Sequence, residues 1–175
     1  HIITTSIGIT LFSGVSETAD TLLKQADTAM YRSKEAGRNT FHFFQPSMQV
    51  TADSRLALEK DLRQVLHNNE LELYYQPQYD NHSNIIGAEA LIRWKHPVRG
   101  MISPAEFIPV AEEAGLIIPI GDWILATACH QLKQWEQYNL PEHFHLAVNV
   151  SPKQFRKKEF APHLQELITI SEIKD

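Results

Sequence analysis

One cysteine in 175 residues, Cys129, leaves no partner for an internal disulfide and fits a reducing compartment. It sits in a helical pattern and reads as a small buried hydrophobe before a nucleophile. A basic excess is missing too. Sixteen Lys and Arg against 21 Asp and Glu give a formal charge of −5, which excludes the positive face that nucleic-acid binding requires. The nine histidines are dispersed, without a close metal-ligand spacing such as H-x₃-H. No apolar run approaches the roughly 20 residues needed to span a bilayer, and no signal peptide precedes a cleavage-like site. The expectation is a soluble, cytoplasmic chain. Its 43% hydrophobic and 21% charged residues are those of a globular protein, long enough for one domain or pieces of two.

The first forty-odd residues read as strand, helix, strand. In "IITTSIGIT" Ile3, Ile7 and Ile9 alternate with polar residues, and Ser16 or Thr18 offers a helix N-cap. Leu22, Leu23, Ala26 and Met30 recur at helical spacing, Gly37 supplies a stop, and "TFHFF" is a short aromatic strand. Residues 45–54 lose periodicity and suggest a connector. A second unit then starts at Asp53 or Ser54 with a stripe of Leu58, Leu62, Val65 and Leu66. Two strands follow, "LELYYQPQY" and "IIGAEALIRW". Ser103, Pro104 and Glu106 open a short helix that Gly115 closes, and a longer one runs from about Asp122. "FHLAVNVS" is a further strand and "KKEFAPHLQELI" a further helix. Strands alternating with helices indicate an α/β unit with a largely parallel sheet or barrel.

Glu89 interrupts an apolar run, and Arg93 lies four residues on. Alternation puts Glu89, Leu91 and Arg93 on one strand face and Ala88, Ala90 and Ile92 on the other, against helices. Glu89 and Arg93 would be about 13 Å apart at Cα, too far for a salt bridge within one strand. Each needs another partner, because an unpaired buried charge costs several kcal/mol or more. Metal ions and phosphates would use both charges; ion pairs with neighbouring strands are the alternative. In the later strand Asn149 is a neutral oxygen ligand suited to a hard divalent cation beside a carboxylate, or simply an Asn opening a turn before Pro152. Both positions read as C-terminal strand ends, where α/β barrels carry their sites. Gln76, on the face opposite Leu71, Leu73 and Tyr75, could donate to a ligand or cap a strand end.

Jointly, these segments resemble an EAL domain, the cyclic di-GMP phosphodiesterase family. "GAEALIRW" followed by "HP", "YYQPQ", "SPAEFIPVAEEAGLIIPIGDWIL" and "VNVSPKQF" match its motifs in order and spacing, from about residue 55 onward. "SIGIT" followed by "LLKQADTAMYRSKEAGRN" resembles the C-terminal end of a GGDEF domain, the diguanylate cyclase family. The resemblance implies the end of a GGDEF α/β sandwich over residues 1–44 and a linker over 45–53. It implies the N-terminal half of an EAL-type (β/α)₈ TIM-like barrel, with one antiparallel strand, over 54–175. It further implies Mg²⁺ or Mn²⁺ and a water attacking cyclic di-GMP to give linear pGpG. Glu89 and Asn149 would be metal ligands, Arg93 a phosphate contact and Gln76 a substrate contact. Lys34 and Arg38 would reach the triphosphate of GTP, although as charges at a helix C-terminus they also suit the helix dipole. The family's other carboxylates and its catalytic lysine fall beyond Asp175, so the chain is expected to be a fragment without turnover of its own. Its parent would be a cytoplasmic homodimer, with membrane attachment through an upstream region as an option, and a cyclic di-GMP receptor with a degenerate site is the alternative.

Overall fold

The computed structural model describes residues 4–14, 17–138, 140–141 and 143–173. The chain divides into two compact units, residues 1–58 and 59–175.

In the first unit β1 (Ile7–Ile9) and β2 (Phe41–Phe43) pair in parallel, Ile7 opposite Phe41, with α1 (Ala19–Glu35) as the crossover. Thr18 caps α1, its side chain accepting from the Thr21 N–H at 3.2 Å. The other candidate cap, Ser16, lies outside the described residues. The helix stops before Gly37, whose φ of +103° suits glycine. Ala29 and Ser33 are its buried residues, whereas Leu23, expected in the apolar stripe, is 69% exposed. Leu23 sits about 100° around the helix from Leu22, off the inward face. Ser33 Oγ donates to the Ile7 carbonyl at 2.8 Å and meets His42 Nδ1 at 3.0 Å, tying helix to both strands.

The expected connector is not aperiodic chain. Residues 46–53 form the first half of α2 (Pro46–Leu62), a single helix that crosses the division between the units. Pro46 opens it, and Gln49 bonds Asp53 at 2.9 Å along its exposed side. Local bonding and propensity build this stretch without an apolar stripe, so periodicity alone does not reveal it. The anticipated stripe begins only afterwards: Leu58, Leu62 and Val65 are 3%, 1% and 1% exposed.

The second unit holds a four-stranded sheet. β3 (Leu71–Tyr79) and β5 (Gly100–Ile102) run antiparallel to β4 (Ile85–His96), and β6 (His145–Val148) runs parallel to it. The sheet is therefore less parallel than strand–helix alternation suggested, because the Asp80 turn returns β3 directly into β4. Ala88, Ala90 and Ile92 are 5%, 3% and 8% exposed, and they form the face that helices cover. Ser103 caps α3 (Pro104–Glu113), with Pro104 in the first turn and Gly115 just past the end. α4 (Ile117–Trp135) starts five residues before Asp122 and buries Ile117, Ile120, Ile124 and Leu125. α5 (Pro152–Phe155) and α6 (Phe160–Ile170) follow β6. The core centres on Trp94 and Phe107, both 0% exposed, whose rings meet edge to face at 5.5 Å. Cys129 is buried, which pushes its thiol pKa up against a smaller opposing hydrogen bond from Ser171. Its burial fits the packing role read from the sequence. No helix among the described residues is long and apolar enough to cross a membrane.

Candidate functional site

The register of the sheet gathers the polar residues of the second unit. Directly paired residues share a face, so Gln76 stands opposite Glu89, Tyr74 opposite Leu91 and Glu72 opposite Arg93. On the other edge of β4, Glu89 pairs with Ala147, which brings Asn149, one residue past β6, within reach. Asn149 Nδ2 donates to Glu89 Oε1 at 2.7 Å. Glu89 lies in the middle of β4, not at its end, because that strand continues to His96; it is half-buried rather than buried, so its charge is less costly than the sequence implied. Gln76 is exposed beside it.

Arg93 lies two pleat repeats further along β4. Its Nη1 donates to the Ile92 carbonyl at 2.8 Å, and its guanidinium carbon sits 5.6 Å from the centroid of the Tyr74 ring. Neither Glu89 nor Glu72 pairs with it; Glu72 turns to Lys95 at 3.7 Å. Leu91 lies between Glu89 and Arg93 on the same face of β4. A cleft of about 260 Å³ is lined among others by Leu91, Arg93, Ile120, Ile124, Asn149 and Ser151.

Close strand approach holds this arrangement. Gly87 opposes both Gln78 and His145, and a Cβ there would lie 2.6 Å from the His145 carbonyl oxygen. The His145 ring lies over Gly87, its Nε2 2.9 Å from where a Cβ would sit and 3.0 Å from Gln78 Oε1. A capping box after β6 fixes the turn that follows Asn149. Ser151 Oγ accepts from the Gln154 N–H, and Gln154 Oε1 accepts from the Ser151 N–H at 3.1 Å. The buried side chain of Gln154 fills the space that Gly121 leaves open on α4.

The donor set fits a hard divalent cation. Glu89 supplies carboxylate oxygens, and turning the Asn149 amide by 180° would place its oxygen where its NH₂ now points. Among the described residues no group of three or more His, Cys, Asp or Glu could hold a metal. Tyr74 and Gly87 were not singled out from the sequence. Alternation back from Gln76 would have found Tyr74, and Gly87's position two before Glu89 would have marked a close approach. Lys34, in the last turn of α1, and Arg38, just past it with φ +63°, are exposed in the first unit.

The family model described as EAL domain matches residues 59–175, and that described as diguanylate cyclase, GGDEF domain, matches residues 1–40. The chain is 44% identical over 154 residues to the bifunctional diguanylate cyclase/cyclic di-GMP phosphodiesterase MucR of Pseudomonas aeruginosa, covering 87% of this chain and 22% of that protein. It is 35% identical over 163 residues to the cyclic di-GMP phosphodiesterase PdeR of Escherichia coli, covering 93% of this chain and 24% of that protein. The chain thus spans under a quarter of the length of either relative. The solved structure of the PaMucR phosphodiesterase in complex with c-di-GMP matches with a TM-score of 0.63 and 37% identity, over 67% of this chain and 47% of that one. The mixed α/β unit is therefore that of a TIM-barrel-like EAL domain.

Proposed function

The chain belongs to the EAL domain family, and from that membership we propose that the protein at its natural length hydrolyses cyclic di-GMP to linear pGpG, an activity not expected of these 175 residues alone. The observation that carries the reading is the Glu89–Asn149 contact, which brings a carboxylate from β4 and an amide from the end of β6 together, beside an arginine that has no carboxylate partner among the described residues. Glu89 and Asn149 would hold Mg²⁺ or Mn²⁺, which when bound lowers the pKa of water and neutralises charge on phosphoryl oxygens. Arg93 would grip a substrate phosphate with its planar edge, and Gln76 would orient the substrate from β3. Incubating the protein with cyclic di-GMP and either metal, and following pGpG formation, tests this.

A second reading is favoured by the same donor set, which offers one carboxylate and one amide: a receptor that holds cyclic di-GMP without cutting it. Calorimetric binding without product would decide for it. On either reading residues 1–44 would be GGDEF-derived, 45–53 a helical linker and 54–175 EAL-derived. Lys34 and Arg38 would meet the triphosphate of GTP, and the protein would work as a homodimer in the cytoplasm.

A further inference from the structure

We propose that Tyr74 is a positioning residue for Arg93, holding the guanidinium by its flat face so that its edge stays free for phosphate. The proposal rests on the reading of Arg93 as a phosphate contact and concerns how this chain keeps that group ready.

Arg93 is a cation with little to hold it. One of its five N–H groups is spent on the Ile92 carbonyl, and Glu72, opposite it in register, is engaged with Lys95 instead. Among the described residues what remains is the Tyr74 ring, 5.6 Å from the guanidinium carbon and reached diagonally across β3 and β4. The chemistry of that choice matters. A carboxylate in the ring's place would bind the guanidinium fork edge-on, with the same two donors that a phosphate needs. An aromatic face attracts the same charge through its π cloud and leaves those donors open. It also restricts a side chain that would otherwise lose considerable rotamer freedom on binding. Tyr74 is 49% exposed, so it offers this face at the surface of the site and not as core packing. Its neighbour Tyr75 points the other way, onto Trp135 at 4.9 Å, and burial raises its hydroxyl pKa. The two adjacent tyrosines thus have different duties.

The test uses the protein at its natural length and equilibrium binding of cyclic di-GMP in EDTA, where metal-dependent turnover stops. Tyr74→Leu is expected to weaken binding about two- to five-fold, the size of a cation–π contact at an exposed site. Tyr74→Phe, which keeps the ring, is expected to bind within about two-fold of wild type. In an Arg93→Met background Tyr74→Leu is expected to change nothing further. In the ligand-free protein, the Arg93 Nε–Hε resonance should be shifted by the ring in wild type and Tyr74→Phe and lose that shift in Tyr74→Leu; this readout stands even where Arg93→Met binds too weakly to measure. Equal binding by wild type and Tyr74→Leu, a full Tyr74→Leu loss retained without Arg93, or an Arg93 resonance indifferent to the ring would each overturn the proposal while leaving the phosphodiesterase reading intact. Wild type that binds no cyclic di-GMP would overturn that reading and this one together.

Discussion

Asn149 Nδ2 reaches Glu89 Oε1 at 2.7 Å, closing a contact between residues 60 apart in sequence. It exists because β6 lies parallel to β4 in a register that sets Ala147 beside Glu89, so the residue after the strand end arrives level with the carboxylate. Glu89→Gln keeps the shape and hydrogen bonding of that pair and removes the charge. Turnover of cyclic di-GMP is expected to fall by about 100-fold or more, the order lost when one preorganised electrostatic group leaves a site. Stability should move by no more than about 0.5 kcal/mol, since Glu89 is only half-buried. Product assays beside urea unfolding separate the two effects, and retained turnover would remove Glu89 from the site.

The same register makes Gly87 a sensitive position. A methyl group there would meet the His145 carbonyl at 2.6 Å, and backbone cannot swing aside as a side chain would. Gly87→Ala is expected to cost about 1–3 kcal/mol through forced separation of β4 and β6. It should also loosen the Asn149–Glu89 contact and weaken Mn²⁺ binding, although it touches neither residue. Unchanged urea midpoint and unchanged Mn²⁺ titration would show that the strands accommodate the methyl.

At the other end of β4 the His96 side chain, 9% exposed, joins three elements of chain. Its Nδ1 accepts from the Val98 and Arg99 N–H groups, each at 3.1 Å, which leaves the proton on Nε2, 3.2 Å from Asp61 Oδ2 near the end of α2. His96→Ala strands two backbone donors and a carboxylate partner. It is expected to cost about 1–3 kcal/mol in urea unfolding, with Asp61→Asn costing less because the amide oxygen can still accept. An equal cost for the two would mean that the turn at Val98 contributes nothing.

Much of this is legible in the sequence itself. Alternation in "GAEALIRW" separated Ala88, Ala90 and Ile92 from Glu89 and Arg93, and the burial of the first three follows it. Ser103 with Pro104 announced α3 through chemistry that acts within four residues, and so did Thr18 for α1. What sequence did not reveal depends on other kinds of information. α2 lacks an apolar stripe in its first half, so nothing marked residues 46–53 as helical. β5 is three residues long and exists only because Trp94 and His96 offer it an edge. The Tyr74–Arg93 cation–π contact runs diagonally across a hairpin, invisible until the Gln76–Glu89 register is known.

The hairpin turn that sets this register carries a charge whose pH dependence can be foreseen. Asp80 accepts from the Asn84 side chain at 3.0 Å, the Asn84 N–H at 2.9 Å and the His82 N–H at 2.8 Å. The Asn84 side-chain bond, then its backbone bond, hold the carboxyl below its ordinary value of 3.8, with slight burial acting against them and the His82 bond adding to them. Because the folded-state value lies below the unfolded one, the ionised turn contributes its full stability above the ordinary carboxylate value. That contribution disappears as pH falls through the lowered folded value. Asp80→Ala should therefore lower the urea midpoint by a constant amount from neutral pH down to the ordinary carboxylate value. Below it, wild type should progressively lose its advantage. The two unfolding series, measured in parallel, decide the matter: a gap that stays constant or widens at the acid end would mean that the ionised Asp80 does not hold the turn.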